Sequence, residues 1–468
     1  MAPLPRSLTQ DAIGSTLLRF ALPMLGGYVL QSLNGSINAI WIGRYLGETA
    51  LAAATHANNL VFALIALLFG VSQACNLLVA QAVGARQPQL AREVTGTGAS
   101  LFLLGALLIC ACAWPLSPWL LRSMGADPAV ALLAGRYLQV MFLALPPLLL
   151  LIYVSAVLRG AGDTRTPFAF LMGVALLDCL LNPLLIFGLG PLPGLGMTGS
   201  ALASLLANSC GLLALLAWLH HQRHPLWLGR GDARLLRPRW PIVHALLSKG
   251  LPMGLQMLLT SLSLVLMLAL VNTQGIQAAS AYSAAMQLWA YVQMPAVAVA
   301  SACTTIAAQN VGAGRWPRVA HTARAGVACH LLLTGCCVAL LLTFDRPMLA
   351  LFLPEASPAL EPARHLNRLV LVSLVLLGIS NVLAGVVRST GAVLVPLLIL
   401  AITLLGLRLP LAWGLQAHWG QDALWWSFPL SALVSVLLSL AYYRWGRWRQ
   451  ARLLDSVACS PWQAEPRS

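Results

Sequence analysis

The sequence predicts an all-α integral membrane protein with twelve transmembrane helices, arranged as two six-helix lobes related by a parallel pseudo-two-fold axis. Three observations support this fold class. Hydrophobic residues make up 59% of the 468 residues, and charged residues only 9%. About a dozen apolar runs reach the roughly 20 residues that a membrane-spanning helix needs. Similar residues also recur at a constant separation in the two halves, which indicates an internal repeat.

The apolar runs form two sets of six, separated by a polar and basic stretch. The predicted spans lie at about 17–41, 51–80, 95–118, 134–158, 167–190, 196–219, 245–272, 278–311, 322–344, 367–387, 393–416 and 423–443. We therefore expect an N-lobe over 1–219, a cytoplasmic linker over 220–244, and a C-lobe with a basic tail over 245–468. The loops at 117–130 and 348–366 are expected to form short surface helices.

The basic residues predict how the chain is oriented in the membrane. Of the 28 lysine and arginine residues, 20 fall in the termini and in the loops on the same side, and six fall on the opposite side. Because basic residues collect on the cytoplasmic side, both termini are expected to be cytoplasmic. Arg19 and Arg408 fall within or near spans, where Arg19 can snorkel and Arg408 can line the interior. The net charge of +15 has the same origin, and no nucleic-acid partner is expected.

Matches at one separation predict that the second half repeats the first. Six spans is an even number, so both halves enter the membrane the same way round, which predicts a parallel two-fold relation. The residues that recur 229 positions later are Leu22, Pro23 and Met24 as Leu251, Pro252 and Met253, and Arg159, Gly162 and Pro167 as Arg388, Gly391 and Pro396.

Several classes of activity lack their sequence signatures. No GxxxxGK[ST] motif is present, so we expect no ATP hydrolysis by a P-loop. Neither HExxH nor GxSxG occurs, so no hydrolase site is expected. The chain is therefore not expected to be an enzyme or to need a cofactor. Energy for any transport would come from an ion gradient or from the gradient of the substrate itself.

The most informative residue is Asp178, the one acid that the predicted spans place deep in the membrane. An ionised carboxylate is costly in hydrocarbon, so an acid kept there indicates a functional site. Asn182 follows four residues later on the same helix face, and Pro183 leaves the carbonyl of Cys179 without its usual donor. Such an acid can bind and release a proton, or its oxygens can hold Na⁺. The alternative is an acid neutralised by Asn182 and kept for packing.

Other polar and aromatic side chains are weaker candidates. A first group could converge on Asp178, although each member alone is more often an interhelical hydrogen-bonding residue than a ligand: Asn34, Asn38, Thr198 and Ser200. A second group is expected either to line a substrate cavity or to serve as ordinary packing: Tyr28, Gln31, Asn34, Trp41, Tyr153, Thr260, Tyr282, Met286 and Trp289. No metal site is expected at His220, His221 and His224, because no nearby Cys or acid completes one.

Longer motifs point to a family. The chain has LPM opening each half, IWIGRYLGETALAAA after the first span, QAVGAR closing the second, RGAGDTRTP after the fourth, and DCLLNPLLIFGLGPLPGLGMTGSALAS across the fifth and sixth. Together these resemble the multidrug and toxic-compound extrusion (MATE) family over about Leu17 to Tyr443. The resemblance implies an antiporter of the bacterial inner membrane that expels small cationic or amphiphilic organic compounds against inward H⁺ or Na⁺, by alternating access.

The resemblance also implies a cation site in the N-lobe. The family commonly has an aspartate at the first-span position, where this chain has Asn38. Acids that many relatives have in the seventh and tenth spans correspond to positions near Thr260 and Leu377, so a C-lobe Na⁺ site is not expected. The implied N-lobe positions are Asn38, Asp178, Asn182 and Ser200.

The resulting hypothesis is a monomeric exporter in which proton binding to Asp178 and retention of the substrate exclude each other, with H⁺ favoured over Na⁺. Its partners are organic substrates and membrane lipids. Two rivals stay open. A flippase for a lipid-linked precursor should carry several basic residues in its cavity, and a membrane-embedded enzyme or scaffold would move no solute along a gradient.

Overall fold

The computed structural model describes residues 8–123, 128–189, 192–354, 357–451 and 453–454, and these are almost entirely helical. Short 3₁₀ segments lie at Arg230–Leu236 and Arg447–Gln450, and a π-helical segment at Ile402–Arg408 joins α12 to α13. Strands β1 (Gly188–Leu189) and β2 (Leu192–Pro193) pair antiparallel. The helices are α1 (Ile13–Leu46), α2 (Glu48–Gly84), α3 (Pro88–Ser123), α4 (Pro128–Gly160), α5 (Arg165–Phe187), α6 (Met197–His221), α7 (Trp240–Asn272), α8 (Ile276–Gly312), α9 (Trp316–Thr343), α10 (Asp345–Ala350), α11 (Leu360–Arg388), α12 (Leu394–Ala401), α13 (Leu409–Gly414), α14 (Gln416–Trp419) and α15 (Asp422–Trp445).

The described residues contain 12 segments long and apolar enough to cross a membrane, which confirms the predicted number of spans. One of these, Leu394–Gly414, combines α12, the π-helical segment and α13. The first expected surface helix is wrong, because α3 itself continues to Ser123 and α4 begins at Pro128. At the second loop, the short helix α10 overlaps only the first residues of the expected surface helix, and α11 begins within the loop at Leu360.

The chain forms two compact units. The first unit takes its described residues from Gly26–Gly254, and the second from Leu8–Leu25 and Leu255–Asp455. Both α1 and α7 therefore contribute residues to each unit. The lobe and linker boundaries inferred from the sequence stay a prediction.

In the first unit, α4 packs against α2, α3 and α6, and α5 packs against α6. The backbones of α2 and the first half of α7 approach each other closely. A Cβ atom added at Gly70 would lie 2.1 Å from the backbone nitrogen of Gly254 and 2.2 Å from the carbonyl oxygen of Gly250. Gly250 and Gly254 have the GxxxG spacing, which lets helices approach closely in a membrane.

In the second unit, α11 packs against α8, α9 and α15. One apolar cluster contains the buried rings of Tyr282, Trp289, Trp425 and Phe428. A second cluster includes the first turns of α1, which contribute Leu17 to it. The second unit therefore has an apolar interior built by helices of both predicted halves.

The internal repeat is visible in matching elements. Helices α2 and α8 both contain 37 residues, and each follows a glycine with a left-handed backbone, Gly47 (φ 89°) and Gly275 (φ 98°). The sequence-matched Gly162 and Gly391 have φ values of 99° and 98°. Since side chains disfavour this region, the repeat keeps glycine where the chain must turn in this way.

The stretch expected to be a linker is attached to α3 within the first unit. Arg92 Nη2 lies 2.5 Å from Asp232 Oδ2, and Arg239 pairs with Glu93. A Cβ atom at Gly96 of α3 would lie 2.2 Å from the carbonyl oxygen of Leu235, so the 3₁₀ segment rests directly on the helix backbone. The stretch is therefore an ordered surface element of the first unit.

Candidate functional site

The carboxylate of Asp178 lies at the centre of a polar cluster in the first unit. Asp178 is in α5 and is only 2% exposed. Asn34 and Asn38, four residues apart on α1, each donate from Nδ2 to Asp178 Oδ2 at 2.9 Å. Ser204 of α6 donates from Oγ to Oδ1 at 3.0 Å. Two helices therefore direct three donors at an acid carried by a third.

The three donors use most of the hydrogen-bonding capacity of the carboxylate. Hydrogen bonds to a charged acceptor are roughly twice as strong as those between neutral groups. The two oxygens of a carboxylate offer about four acceptor positions. Three of these positions are used by Asn34, Asn38 and Ser204. One acceptor position of Asp178 is left for a further ligand.

Asn182 supports the site without touching the carboxylate. Its side chain is 0% exposed, and Nδ2 donates at 2.9 Å to the backbone carbonyl oxygen of Asp178. The alternative, in which a hydrogen bond from Asn182 neutralises the acid, lacks that bond in this structure, because the amide donates to the main chain. Within the described residues, the buried Oδ1 atoms of Asn34, Asn38 and Asn182 have no hydrogen-bond partner. The cluster thus combines one carboxylate with three unused amide oxygens.

The sixth span contributes a different serine from the one expected. Ser200 is buried one turn before Ser204 on α6, but Ser204 makes the bond to Asp178. Thr198 donates instead to the carbonyl oxygen of Leu195 at 2.7 Å, at the start of the helix. The sequence could have indicated Ser204, because it lies four residues after Ser200 and therefore on the same face of the helix.

The expected cavity residues of α1 differ in their surroundings. Tyr28 is half-buried, whereas Gln31 is exposed. Trp41 is half-buried and stacks on Tyr45 with 5.3 Å between ring centroids. These three residues keep accessible surface and stay candidates for substrate contact.

Most other cavity candidates are engaged in packing. Tyr153 is 1% exposed and donates to a backbone carbonyl oxygen of α3 at 2.5 Å. Tyr282 and Trp289 belong to the apolar core of the second unit, and Met286 packs against it. Thr260 is exposed on α7 and donates to a carbonyl oxygen of its own helix at 2.9 Å. For Tyr153 and Trp289 the structure favours the packing interpretation.

The histidines at the end of α6 and shortly after it contact other groups. His224 Nδ1 accepts the backbone N–H of Leu226 at 3.3 Å, and the His220 ring lies 5.2 Å from that of Trp227. Burial lowers the pKa of His224, and the charge of Asp163 offsets this only in part. In the part of the chain that the structure describes, no three His, Cys, Asp or Glu side chains are grouped to hold a metal ion.

Among the described residues, twelve segments that can span a membrane, one of which carries a buried and hydrogen-bonded carboxylate, are typical of a polytopic membrane transporter. The sequence model of the MatE family matches residues 23–184 and 252–413. The chain belongs to this family of multidrug and toxic-compound extrusion transporters, which are not enzymes. The two matches begin 229 residues apart (252 − 23) and end 229 apart (413 − 184), which is the separation of the internal repeat.

Individual relatives agree with this assignment over nearly the whole chain. The chain is 31% identical to a probable multidrug resistance protein, YoeA, of Bacillus subtilis, covering 96% of this chain and 97% of the relative. It is 24% identical to a probable multidrug resistance protein, NorM, of Thermotoga maritima, covering 94% of both. A crystal structure of a mutant of the Vibrio cholerae MATE transporter VcmN has the same fold, with a TM-score of 0.85 at 21% identity over 94% of this chain and 98% of that one.

Proposed function

We propose that the protein is a proton-coupled exporter of small cationic or amphiphilic organic compounds, and that Asp178 is the coupling residue. The observation that carries the proposal is the position of its carboxylate, 2% exposed and hydrogen-bonded by three side chains inside a bundle of membrane-spanning helices. An acid retained in such a place is expected to have a function.

The number of donors around Asp178 favours H⁺ over Na⁺. Three of its roughly four acceptor positions are already used. A proton needs one such position, whereas a sodium ion needs several oxygen ligands at once. If the amides of Asn34 or Asn38 rotate, their unused Oδ1 atoms can accept the proton of the neutral carboxyl group. Sodium binding would require both amides to turn together.

Coupling follows if the proton and the organic cation compete. A neutral Asp178 attracts a cation less than an ionised one, so each ligand weakens the binding of the other, and such coupling is reciprocal. The names of the relatives, which include several probable multidrug resistance proteins, support a broad substrate range. The loop charges support a protein of the bacterial inner membrane with both termini in the cytoplasm, and the same proposal takes it to be a monomer.

The test is efflux of ethidium from proteoliposomes driven by an imposed pH gradient. Asp178→Asn keeps the size of the side chain but cannot exchange a proton, so gradient-driven efflux is expected to be lost. The matched control is Asp163→Asn, because Asp163 only accepts the backbone N–H groups of Arg165 and Thr166 at the start of α5. That control should transport like the native protein.

Undiminished, pH-driven efflux by Asp178→Asn would contradict the proposal. Repeating the measurement with a sodium gradient and no pH gradient shows whether H⁺ or Na⁺ drives efflux. Efflux that follows sodium and depends on Asp178 would keep the coupling residue but replace the proton.

A further inference from the structure

Arg408 is a buried cation that lacks a carboxylate partner in the second unit. It is the last residue of the π-helical segment and is 4% exposed. Of the acids that the structure describes in this unit, Asp345, Glu361 and Asp422 pair with other basic side chains, and Asp11 is exposed. A buried charge without a counter-charge is strongly unfavourable. Its presence here therefore calls for a ligand of opposite charge.

The guanidinium group is held in one orientation. Nε donates to Ser431 Oγ at 2.9 Å, and the guanidinium carbon lies 4.5 Å from the centre of the Phe428 ring. Arginine has five N–H donors. The buried Nη2 of Arg408 has no partner among the residues described. The side chain is thus fixed on one edge and offers donors on another.

Tyr282 places a second unused donor beside the first. The ring of Tyr282 lies 6.4 Å from that of Phe428, which Arg408 also contacts. The Tyr282 hydroxyl is buried, and no described residue is hydrogen-bonded to it. Both unused donors, a guanidinium edge and a phenol, belong to residues that contact the Phe428 ring, and such donors bind a carboxylate well.

The walls around these donors are aromatic. Tyr282 stacks on Trp425 with 6.2 Å between centroids and 16° between planes, and Trp289 meets it edge-on at 5.7 Å. The indole N–H of Trp289 is already used by Asn367 Oδ1 at 2.9 Å. Arg408 and Tyr282 therefore provide the unused hydrogen-bond donors of this cluster, and the neighbouring rings provide apolar contacts.

The backbone at Arg408 is unusual as well. A π-helical segment inside a helix is rare and often marks a functional site. The segment Ile402–Arg408 lies within one membrane span and is followed by Pro410. A return of this segment to α-helical geometry would turn Arg408 about the helix axis. This gives the buried donors a way to meet a ligand during a transport cycle.

We propose that Arg408 and Tyr282 form a recognition site for an anionic group, and that the ligand is the carboxylate of an aromatic acid or zwitterion. The inference rests on the proposed export function, within which it assigns residues that recognise one chemical group of the substrate. Arg408 Nη2 and the Tyr282 hydroxyl donate to the carboxylate, and the aromatic rings contact the skeleton of the compound. A small inorganic anion such as chloride has the same charge as a carboxylate, and measurements in chloride and in gluconate distinguish the two ligands.

The experiment compares rhodamine B, which has a free carboxylate, with rhodamine B ethyl ester, which does not. Fluorescence polarisation measures binding of each dye to the purified full-length protein in chloride and in gluconate buffer. The variants are Arg408→Gln and Tyr282→Phe. The control is Arg449→Gln, since Arg449 is exposed and also lies over an aromatic ring, 5.2 Å from the centre of Trp448.

We expect Arg408→Gln to weaken binding of rhodamine B by about 10- to 100-fold, the effect of losing a hydrogen bond between charged groups. Tyr282→Phe should act in the same direction, and Arg449→Gln should have no effect. Retained binding of the ester shows that each variant is folded. Equal weakening of both dyes, or equal rhodamine B binding by native protein and Arg408→Gln, overturns the carboxylate assignment.

Chloride as the ligand would give a different pattern. The unfolding temperature of the native protein would be higher in chloride than in gluconate, whereas that of Arg408→Gln would be the same in both buffers. The affinity for rhodamine B would not change in Arg408→Gln. This result supports the anion site with a different ligand. Failure of the native protein to bind even the ester counts against the proposed export function, and is thereby distinguished from failure of the Arg408 site.

Discussion

Ser204 Oγ lies 3.0 Å from Asp178 Oδ1, the carboxylate oxygen opposite the one that the two α1 asparagines contact. The acid is therefore held from both sides, by α1 on one oxygen and by α6 on the other. Any movement of α1 relative to α6 would alter the hydrogen bonds of this carboxylate.

Ser204→Ala removes one of the three donors to Asp178. Losing a hydrogen bond to a charged group costs about 1.5–3 kcal/mol. We expect pH-driven efflux in proteoliposomes to fall about tenfold. Ser204→Thr keeps the hydroxyl and should retain most of the activity. Equal efflux by the native protein and Ser204→Ala would show that this bond does not contribute to coupling.

Asn38→Asp places a second carboxylate beside Asp178. Two acids within hydrogen-bonding distance repel each other, and a cation between them relieves the repulsion. We expect an inward sodium gradient to accelerate efflux by about fivefold or more in this variant but not in the native protein. Asn272→Asp, at the exposed end of α7, is the control for an added acid. Sodium-independent efflux by Asn38→Asp would contradict the prediction.

Gly70→Ala tests the close approach of α2 and α7. The new Cβ would meet the backbone of Gly254 at 2.1 Å and that of Gly250 at 2.2 Å, neither of which can rotate away. Overpacking of this kind costs about 1–3 kcal/mol. We expect a lower unfolding temperature, measured by size-exclusion chromatography after heating. Gly135→Ala on α4 meets no atom within 4 Å and should leave the unfolding temperature unchanged or slightly raised.

Asp345 makes stability depend on pH. Burial acts to raise the pKa of its carboxyl group, but hydrogen bonds from Arg364 and the backbone of Arg346, with the charges of Arg364 and Arg368, outweigh it and lower the pKa below the ordinary 3.8. Because the pKa of Asp345 is lower in the folded than in the unfolded protein, its ionised carboxylate stabilises the fold above pH 3.8. This stabilisation is lost as the pH falls through the folded-state pKa.

Asp345→Asn should therefore unfold at a lower temperature than the native protein at pH 7, by the equivalent of about 1.5–3 kcal/mol. The difference should close in acid well below pH 3.8. Glu361→Gln is the comparison, because Glu361 contacts the same Arg364 with a side chain that is 75% exposed, and exposed pairs contribute little. A difference between native and Asp345→Asn protein that persists in acid would refute the assignment.

The sequence predicted the spans well because length and apolarity of a membrane helix are local properties. It gave Asn34 and Asn38 only as weaker candidates that could converge on Asp178, and Asn38 also from the resemblance, because a polar residue in a span is more often an ordinary interhelical hydrogen-bonding residue. It missed Ser204, because serine in a helix often bonds to its own backbone and only the contact between α5 and α6 shows otherwise. The π-helical turn before Arg408 has no distinct sequence signal, so the orientation of that side chain needed the structure.

The surface helix expected at 117–130 failed for a related reason. The end of α3 at Ser123 is not set by where the apolar run stops, since a helix can continue beyond the membrane-spanning part of its sequence. Hydrophobicity predicts how much of a helix crosses the membrane, and it carries no information on where the backbone hydrogen bonds end.

The unpartnered amide oxygens of Asn34, Asn38 and Asn182 mean that the conformation described here is not the one of lowest energy for its polar groups. Each buried acceptor without a donor costs about 1–3 kcal/mol. Stability and turnover should therefore oppose each other at this place: replacing Asn182, which does not contact the carboxylate, by an apolar residue would raise heat resistance and slow turnover. A search for heat-stable variants for crystallography would tend to select the slowest exporters.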